Sequence, residues 1–392
     1  PTVAATPLSA LTAALGVPGP RQGGDAQVTG VSHSSSGVLP GDLYVAVAGA
    51  RTHGARFAGE AADRGAVAVL TDSEGSALAR DSGLPTVICA DPRSLLGPLA
   101  AAVYGNPAQQ LAIVGVTGTN GKTTVTTLLH AVLTAAFGSA GLVGTIETRI
   151  GADVVPSVRT TPEASDLQAL LAVMVQRGVR AAAIEVSSHA IALGRVGGLV
   201  VDAAGFTNLS QDHLDFHADM DDYFATKARL FTPDHAHRGT VVVDDGWGRR
   251  LALQATVPVQ TLTTVTHERG STRASDDATD RADWVVDDID LGAQHSAAGL
   301  RGPDGRSHEL RVPLPGLVNV ANGALTVAMA TQVGVDAGAA TASLADAPMV
   351  AGRMERVSGE GSPLVVVDYA HSPDALERAL STLRVGSPAP VV

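Results

Sequence analysis

The sequence predicts an α/β protein whose centre is a doubly wound, mostly parallel sheet carrying a phosphate-binding loop. A short apolar, β-branched run at 111–116 is followed by a glycine-rich turn and then by a helical pattern closed by Gly138. A second apolar run at 181–186 follows another helical pattern. Strands that alternate with helices form parallel sheets, which bind ligands at the carboxyl ends of their strands.

Length and turn signals divide the 392 residues into three predicted domains. Residues 1–108 hold short buried strands and helices and end at a Gly-Asn-Pro turn. Residues 109–350 hold the central loop domain, with an added β-rich part at 240–315. Residues 351–392 begin a third, Rossmann-like α/β domain with a strand near residue 363 and a helix after it. We expect this domain to be incomplete, because the sequence ends in an apolar stretch.

Individual elements follow from the same patterns. The segment 160–178 predicts a helix with Thr161 as its N-cap and Pro162 in the first helical position. Strands are expected at 240–246, 282–291 and 308–316, with a turn at 302–305, and a helix is expected at 319–334.

Composition excludes several classes of protein. The net charge of -12, spread without a long single-sign run, argues against a nucleic-acid partner, which needs a basic face. The single Cys89 excludes an intrachain disulfide and fits a reducing cytosol. No apolar run reaches the roughly 18 residues of a membrane-spanning helix. We therefore expect a cytoplasmic protein that does not insert into membranes.

The loop at 118–123 departs from the usual P-loop spacing, which would place its first glycine where Val116 stands. The chemistry needs unhindered backbone, supplied here by Gly118 and Gly121, and a helix N-terminus aimed at phosphate oxygens. Lys122 can reach the terminal phosphates, and a hydroxyl of Thr123 or Thr124 can join Mg²⁺. The motif predicts a nucleotide site; an incidental glycine-rich turn is the alternative.

Two further polar segments, around Glu185 and at 212–227, contain candidates for catalytic residues. Glu185 ends an apolar run, where a carboxylate is costly unless it is paired or bound to metal, or unless it reaches solvent beyond the strand. The segment 212–217 packs two aspartates and two histidines into six residues, His213 among them, and Lys227 follows on a predicted helix. Such clustering suits metal binding or acid–base chemistry but also a solvated polar loop.

Six segments in this order resemble the Mur ligases: GVTGTNGKTT, EVSSHA, TNLSQDHLDFH with YFATKARLF, NVANGA, GRMERV and DYAHSPDALERAL. The likeness is greatest to the tripeptide-forming branch and covers nearly the whole chain. It implies that ATP phosphorylates the D-Glu side-chain carboxylate of UDP-MurNAc-L-Ala-D-Glu. The amine of a diamino acid then displaces the phosphate, in a step of peptidoglycan precursor synthesis. The first domain would bind the UDP end of the substrate.

The resemblance also implies roles for single residues. Catalysis and Mg²⁺ binding would fall to Lys122, Thr123, Glu185, His213 and Lys227, with Lys227 carried as a carbamate. ATP would be bound by Gly118, Thr119, Asn120, Gly121, Lys122, Thr123, Thr124, Asn319, Arg353 and Asp368. The substrate would be bound by Ser35, Thr160, Thr161, Ser187 and Arg195. Leu193 stands where the family commonly has glutamine, which puts one substrate hydrogen bond in doubt.

Several alternatives stay open at this point. The amino acid added could be meso-diaminopimelate, which we favour, or L-lysine. A folylpolyglutamate-synthetase-like ligase shares the ATP loop but needs no domain before it. The Mur ligase branch that adds D-Ala-D-Ala fits the motifs less well, and an inactive nucleotide-binding homologue is a further alternative. The expected partners are the UDP-MurNAc-dipeptide and a diamino acid, and a monomer is expected.

Overall fold

The computed structural model describes residues 1–20, 24–264, 282–292, 294–359, 364–371 and 373–385. The chain forms two compact units. The first contains Pro1–Leu111, Pro162–Gly178 and His189–Leu199; the second contains Ala112–Thr161, Val179–Ser188 and Val200–Val392.

Helices and strands alternate along most of the chain. The α-helices are α1 Leu8–Ala14, α2 Ala58–Asp63, α3 Ser73–Leu78, α4 Pro92–Val103, α5 Lys122–Phe137, α6 Ala164–Gln176, α7 Ser188–Ala192, α8 Met220–Ala228, α9 Gly246–Gln254, α10 Leu317–Gln332, α11 Ala337–Ala345 and α12 Pro373–Val385. The strands are β1 Thr6–Pro7, β2 Gln27–Val28, β3 Gly30–Ser32, β4 Asp42–Val45, β5 Ala68–Thr71, β6 Thr86–Ile88, β7 Ala112–Thr117, β8 Ala140–Val143, β9 Glu147–Ile150, β10 Asp153–Pro156, β11 Ala181–Glu185, β12 Ala203–Phe206, β13 Gly239–Val242, β14 Val259–Thr263, β15 Trp284–Leu291, β16 Ser296–Arg301, β17 Ser307–Val312, β18 Glu355–Arg356 and β19 Val366–Val367.

The first unit is built on a four-stranded parallel sheet in the order β3-β4-β5-β6, and β1 and β2 form a separate antiparallel pair. Apolar side chains of β4, β5 and α4 form its core, among them Leu43, Leu70 and Leu96, each fully buried. Helix α6, which lies far along the chain, also belongs to this unit.

The second unit is built on an eleven-stranded sheet in the order β10-β9-β8-β11-β7-β12-β13-β14-β15-β16-β17. The strands from β8 to β15 in this order are parallel, and antiparallel strands extend both edges. Helices α5, α10 and α11 pack on the sheet through a continuous apolar core. The α/β class and the doubly wound, mostly parallel sheet are confirmed, and β15 to β17 supply the added β-rich part.

The sequence patterns missed or misplaced a few elements. Strand β16 was not predicted, although the predicted turn at 302–305 connects it to β17. The helix predicted to begin at Pro162 begins instead at Ala164, with Glu163 as its N-cap residue. The Thr161 hydroxyl is fully buried and has other partners: it donates to the carbonyl oxygen of Glu185 at 2.7 Å and accepts the N–H of Ser187 at 3.3 Å. The strand predicted near residue 363 is described only as β19, and residue 363 lies outside the described residues.

Membrane spanning finds no support within the described residues, because none of their helices combines the necessary length with sufficient apolar character.

Helix α4 meets the segment after α7 through backbone contact in the first unit. A Cβ atom built on Gly97 would overlap the carbonyl oxygen of Gly197. One built on Gly198 would lie 2.6 Å from the carbonyl carbon of Gly97. The side-chain amide of Gln168, on α6, donates to the carbonyl oxygen of Gly198 at 3.1 Å. Glycine at position 97 therefore sets how closely these three parts of the unit approach.

We predict that Gly97→Ala lowers the melting temperature of the protein, because overpacking a close backbone contact costs about 1–3 kcal/mol. The matched control is Gly59→Ala, in the first turn of α2, where an added Cβ would meet no atom within 4 Å. That variant should be neutral or stabilised by about 0.5–1 kcal/mol, since alanine is the better helix former. Thermal unfolding followed by circular dichroism measures both. Equal melting temperatures for Gly97→Ala and the wild type would contradict the close contact.

Candidate functional site

The glycine loop joins β7 to α5 and requires glycine at two positions. Gly118 and Gly121 have φ values of 146° and 88°, a region that residues with a side chain avoid. A Cβ on Gly118 would overlap the hydroxyl of Thr207, and one on Gly121 would lie 2.6 Å from the side-chain oxygen of Asn322. Val116, at the position of the usual first glycine, is fully buried inside β7. Because β7 continues to Thr117, the first glycine of the loop stands at position 118 and not at the usual position 116.

The segment after β12 supports this loop from outside. The backbone N–H of Thr119 donates to the carbonyl oxygen of Asn208 at 2.9 Å, and that of Asn120 donates to the Asn208 side chain at 3.1 Å. The Thr207 hydroxyl donates to the carbonyl oxygen of Asn120 at 2.6 Å, and the N–H of Ser210 donates to the Thr119 hydroxyl at 3.0 Å. These bonds hold the loop in its curved shape without using the first turn of α5.

The first turn of α5 has the properties of an anion site. Its N-cap is Gly121, and within the described chain no side chain caps it. The first N–H groups of a helix lack intrahelical partners and carry the positive end of the helix dipole. Such a helix start binds phosphate when the preceding backbone is unhindered.

Both lysines of the chain lie at this loop. The sequence contains two lysines, Lys122 and Lys227, against 25 arginines. The Lys122 amine donates to the carbonyl oxygens of Gly118 and Thr119 at 3.0 and 2.9 Å, and the Lys227 amine donates to the same Gly118 carbonyl at 2.9 Å. Lys227 is 1% exposed, and its amine lies 4.6 Å from the centre of the Tyr223 ring.

Burial lowers the pKa of both amines, and at Lys227 the charge of the other lysine adds to the effect. Burial lowers the pKa of Lys227 well below its usual value, and the charge of Lys122 lowers it further. Burial also lowers the pKa of Lys122, although the Glu185 carboxylate opposes this shift. The site therefore favours a neutral amine on Lys227.

Glu185 ends β11 and is held by three hydrogen bonds. It is 1% exposed. One carboxylate oxygen accepts the N–H of Thr145 at 2.8 Å; the other accepts the hydroxyls of Thr123 and Thr145 at 3.1 and 3.0 Å. Strand β11 lies between β7 and β8, with Glu185 in register with Val116. The sheet order thus brings Glu185 beside the P-loop, and these donors satisfy a carboxylate that burial would otherwise penalise.

Thr123 and Glu185 are donors that Mg²⁺ prefers. The hydroxyl and carboxylate oxygens lie 3.1 Å apart, and both are hard ligands. Across the residues described, no three His, Cys, Asp or Glu side chains converge as metal ligands. Mg²⁺ commonly takes one or two carboxylates and completes its shell with water and substrate phosphates. The donor set therefore fits Mg²⁺ bound together with a nucleotide.

Arg353 reaches this centre from the segment after α11. Its guanidinium donates to the Thr123 hydroxyl at 3.1 Å and lies 5.0 Å from the centre of the Tyr369 ring. Its Nε atom is buried and has no hydrogen-bond partner within the described residues. An unsatisfied buried donor on a cation costs free energy, which an anionic oxygen would recover.

A small cavity of about 100 Å³ lies beside the start of α5. Its lining includes Asn120, Gly121, Thr124, Asn319, Asn322, Arg353, Asp368, Tyr369 and His371. Asn319 and Asn322 are joined by a side-chain hydrogen bond of 3.1 Å. Asp368 accepts the N–H groups of Met354 and Ala370, each at 2.8 Å. The structure thus brings six of the ten predicted ATP residues to one cavity, whereas Gly118, Thr119, Lys122 and Thr123 do not line it. A second cavity, of about 650 Å³, opens onto Thr123 and Glu185.

The cluster at 212–217 packs around Tyr223. His213 has a φ of 53°, uncommon for a residue with a side chain, and its ring centre lies 6.1 Å from that of Tyr223. The His213 Nε2 atom is 3.5 Å from an Asp212 carboxylate oxygen. His217 is buried against Tyr223, with ring centres 4.9 Å apart. A metal role for His213 stays a prediction.

The predicted substrate residues belong to both units. In the second unit, the hydroxyls of Thr160 and Thr145 lie 3.0 Å apart, and the backbone N–H of Ser187 donates to the Thr161 hydroxyl at 3.3 Å. In the first unit, Ser35 donates to Glu60 at 3.1 Å, and Arg195 Nε lies 2.9 Å from a Glu163 oxygen. Their binding roles stay predictions.

The sequence patterns missed two residues of the centre. The Tyr223 hydroxyl lies 3.2 Å from that of Thr119 and so connects α8 to the loop. Thr145 supplies two of the three hydrogen bonds to Glu185. Its position just after β8, at the carboxyl end of a parallel strand, is the signal that could have identified it.

Comparison with known proteins identifies the family. Models of three Mur ligase domains match the chain. The Mur ligase middle domain matches residues 116–330, the Mur ligase family catalytic domain matches 27–109, and the Mur ligase glutamate ligase domain matches 352–392. A relative from Streptomyces coelicolor, named UDP-N-acetylmuramoyl-L-alanyl-D-glutamate--2,6-diaminopimelate ligase, is 48% identical over 97% of this chain and 72% of its own.

Solved structures agree with this relationship. A UDP-N-acetylmuramoyl-L-alanyl-D-glutamate--2,6-diaminopimelate ligase is 26% identical and superposes with a TM-score of 0.78, covering 98% of this chain and 75% of that one. The MurF ligase from Thermotoga maritima in complex with ADP is 20% identical, with a TM-score of 0.63, covering 91% and 75% of the two chains, and shares the fold. On these matches, the chain belongs to the Mur ligase family.

Proposed function

We propose that the protein is an ATP-dependent ligase of peptidoglycan precursor synthesis. It joins meso-diaminopimelate through an amide bond to the D-Glu side-chain carboxylate of UDP-MurNAc-L-Ala-D-Glu. The observation that carries the proposal is the convergence of Lys122, Lys227 and Arg353 with Glu185 and Thr123 around one helix start. The reaction is that of the relative that is 48% identical.

The chemistry has two halves. An oxygen of the D-Glu carboxylate attacks the γ-phosphorus of ATP, the bond to the β–γ bridging oxygen breaks, and ADP leaves. The amine nitrogen of the amino acid then attacks the acyl carbon and loses a proton, and inorganic phosphate leaves with the electrons of the C–O bond. Both reactants of the first half are anions, so cationic groups must screen them.

Residues of the loop and of its neighbours suit the first half. The backbone of Gly118 to Gly121 and the first turn of α5 would hold the phosphates, and Lys122 and Arg353 would neutralise their charge. Thr123 and Glu185, with His213 and a carbamate on Lys227, are the proposed ligands of Mg²⁺. When bound, this ion would supply charge stabilisation at the transferred phosphoryl group. Asn319 and Asp368 are the proposed contacts to the rest of the nucleotide.

The Lys227 amine has the properties needed for carbamate formation. The free amine, not the ammonium ion, attacks CO₂, and burial favours the free amine here. A carbamate is an anionic oxygen donor, and so a better metal ligand than an ammonium group. The chain uses arginine at nearly every other basic position, yet arginine cannot form this adduct at neutral pH.

The remaining substrate contacts and the organisation of the chain are proposed from the same resemblance. Thr160, Thr161 and Ser187 would bind the muramoyl-peptide, and Ser35 and Arg195 would bind further groups of the UDP-linked substrate. Three domains are proposed, 1–108, 109–350 and 351–392, supported by the separate family matches to 27–109, 116–330 and 352–392. A cytoplasmic protein without nucleic-acid or membrane partners is proposed from the composition, and a monomeric state is proposed with it.

We predict that the protein releases phosphate when meso-diaminopimelate is added to ATP, Mg²⁺ and UDP-MurNAc-L-Ala-D-Glu. Mass spectrometry should then detect the corresponding UDP-MurNAc-tripeptide. L-lysine in its place should give little product, and chelation of Mg²⁺ should stop the reaction. Turnover with L-lysine only would move the specificity to that amino acid. Turnover with neither amino acid would contradict the ligase assignment.

We predict that Lys122→Ala lowers kcat by about 10²–10³-fold, because one cationic group that stabilises the transferred phosphate is lost. The melting temperature should change little, since the amine bonds only backbone oxygens of its own loop. Steady-state ADP release measures the first effect and circular dichroism the second. Wild-type turnover in this variant would remove Lys122 from the mechanism.

We predict that Lys227→Ala is inactive and is partly restored by acetate or formate, which would replace the carbamate oxygens. A second readout is ¹³C NMR after incubation with labelled bicarbonate. Because the chain has two lysines, the carbamate signal should persist in Lys122→Ala and disappear in Lys227→Ala. A signal that survives in Lys227→Ala would place the adduct elsewhere.

A further inference from the structure

Glu163, at the N-cap of α6 in the first unit, is a buried carboxylate surrounded by basic side chains. It is 5% exposed. One oxygen lies 2.9 Å from Arg195 Nε, and the other accepts a hydrogen bond from Arg93 at 3.0 Å. The His33 ring nitrogen lies 4.0 Å from this second oxygen. Four parts of the chain thus meet at one carboxylate.

The fold of the first unit makes this meeting specific. Arg93 stands in the first turn of α4, one turn before Gly97, and Gly97 touches the backbone at Gly197, two residues after Arg195. The carboxylate lies directly before α6, whose Gln168 holds the same segment through Gly198. Backbone contacts therefore fix the main-chain positions of both arginines, and Glu163 holds their guanidinium groups.

The carboxyl group of Glu163 is kept in its ionised form by the basic side chains around it. Burial raises the pKa of Glu163, but Arg195, His33 and Arg93 together outweigh it and keep the carboxyl ionised. The two oxygens of this carboxylate face guanidinium groups carried by two different parts of the chain, Arg195 after α7 and Arg93 on α4. Guanidinium groups held in fixed positions are well suited to bind an anionic group of a substrate, because they present several N–H donors in a planar fork.

We infer that Glu163 is a positioning residue for substrate binding: it orients Arg195 and Arg93 together as a two-arginine site for an anionic group of the UDP-linked substrate. The inference rests on the proposed function, in which Arg195 contacts that substrate. A buried ion pair contributes little net stability compared with well-packed apolar residues. Orientation of the guanidinium groups is the effect that a neutral side chain at position 163 could not provide.

The test compares Glu163→Gln with the wild type in the ligase assay. Losing the charged partner frees Arg195 to adopt other orientations, and we expect the KM for UDP-MurNAc-L-Ala-D-Glu to rise on the order of 10-fold. The KM for ATP should stay within about twofold, because the nucleotide residues lie in the other unit. Glu163→Asp, which keeps the charge, should recover part of the loss, and it replaces Glu163→Gln if that variant does not fold.

Asp42→Asn is the matched control. Asp42 is also a buried carboxylate of the first unit, 8% exposed, and one of its oxygens accepts the N–H of Leu39 at 2.8 Å. Its removal tests general damage to the unit. The KM for the UDP-linked substrate should not rise in this variant, whatever its melting temperature. An equal rise in both variants would overturn the specific role of Glu163.

Double substitution separates the inference from the proposed function. If Glu163 acts through the two arginines, adding Glu163→Gln to the Arg93→Ala/Arg195→Ala variant should not raise the KM further. An unchanged KM in Glu163→Gln beside a raised KM in Arg195→Ala would refute the inference and leave the proposed function standing. An unchanged KM in Arg195→Ala would refute the substrate role of Arg195 itself.

Discussion

The carbonyl oxygen of Gly118 is the point on which the rest of the centre depends, because both lysine amines of the chain donate to it. Two ammonium groups cannot share one small acceptor in a buried place without strong repulsion. The protein accommodates them by favouring the neutral form of Lys227. Burial lowers the pKa of both amines, and at Lys227, where the charge of Lys122 adds to the effect, it lies well below the usual value.

This arrangement is possible because of the sheet order. Strands β8, β11 and β7 are adjacent and parallel, so their carboxyl ends lie together. Thr145 follows the first, Glu185 ends the second, and the glycine loop follows the third. Arg353 closes the group from the other side through Thr123. Ligand positions in such folds follow from topology, and here the topology also satisfies a buried carboxylate before any ligand binds.

The first unit handles charge in a different way. A protein of net charge -12 that binds anionic substrates must concentrate its cations locally. At Glu163 it does so with a carboxylate that holds two arginines, and each arginine is anchored by backbone contacts nearby. Glycine is therefore as important to this cluster as charge, because a side chain at position 97 would separate the elements that carry the arginines.

The sequence by itself determined the α/β class, the glycine loop with Lys122, and the position of Glu185 at a strand end, because period, turn residues and strand–helix order are local properties. Only the tertiary structure decided that Lys227 reaches Gly118 across 109 residues, that Tyr223 and Thr145 complete the centre, and that Glu163 holds arginines. Thr161 shows why: its pattern favours a helix cap, but a buried carbonyl far along the chain is the partner it takes. Local patterns specify which backbone conformations have low free energy. The partner of each buried polar group depends instead on contacts that exist only once the sheet has formed.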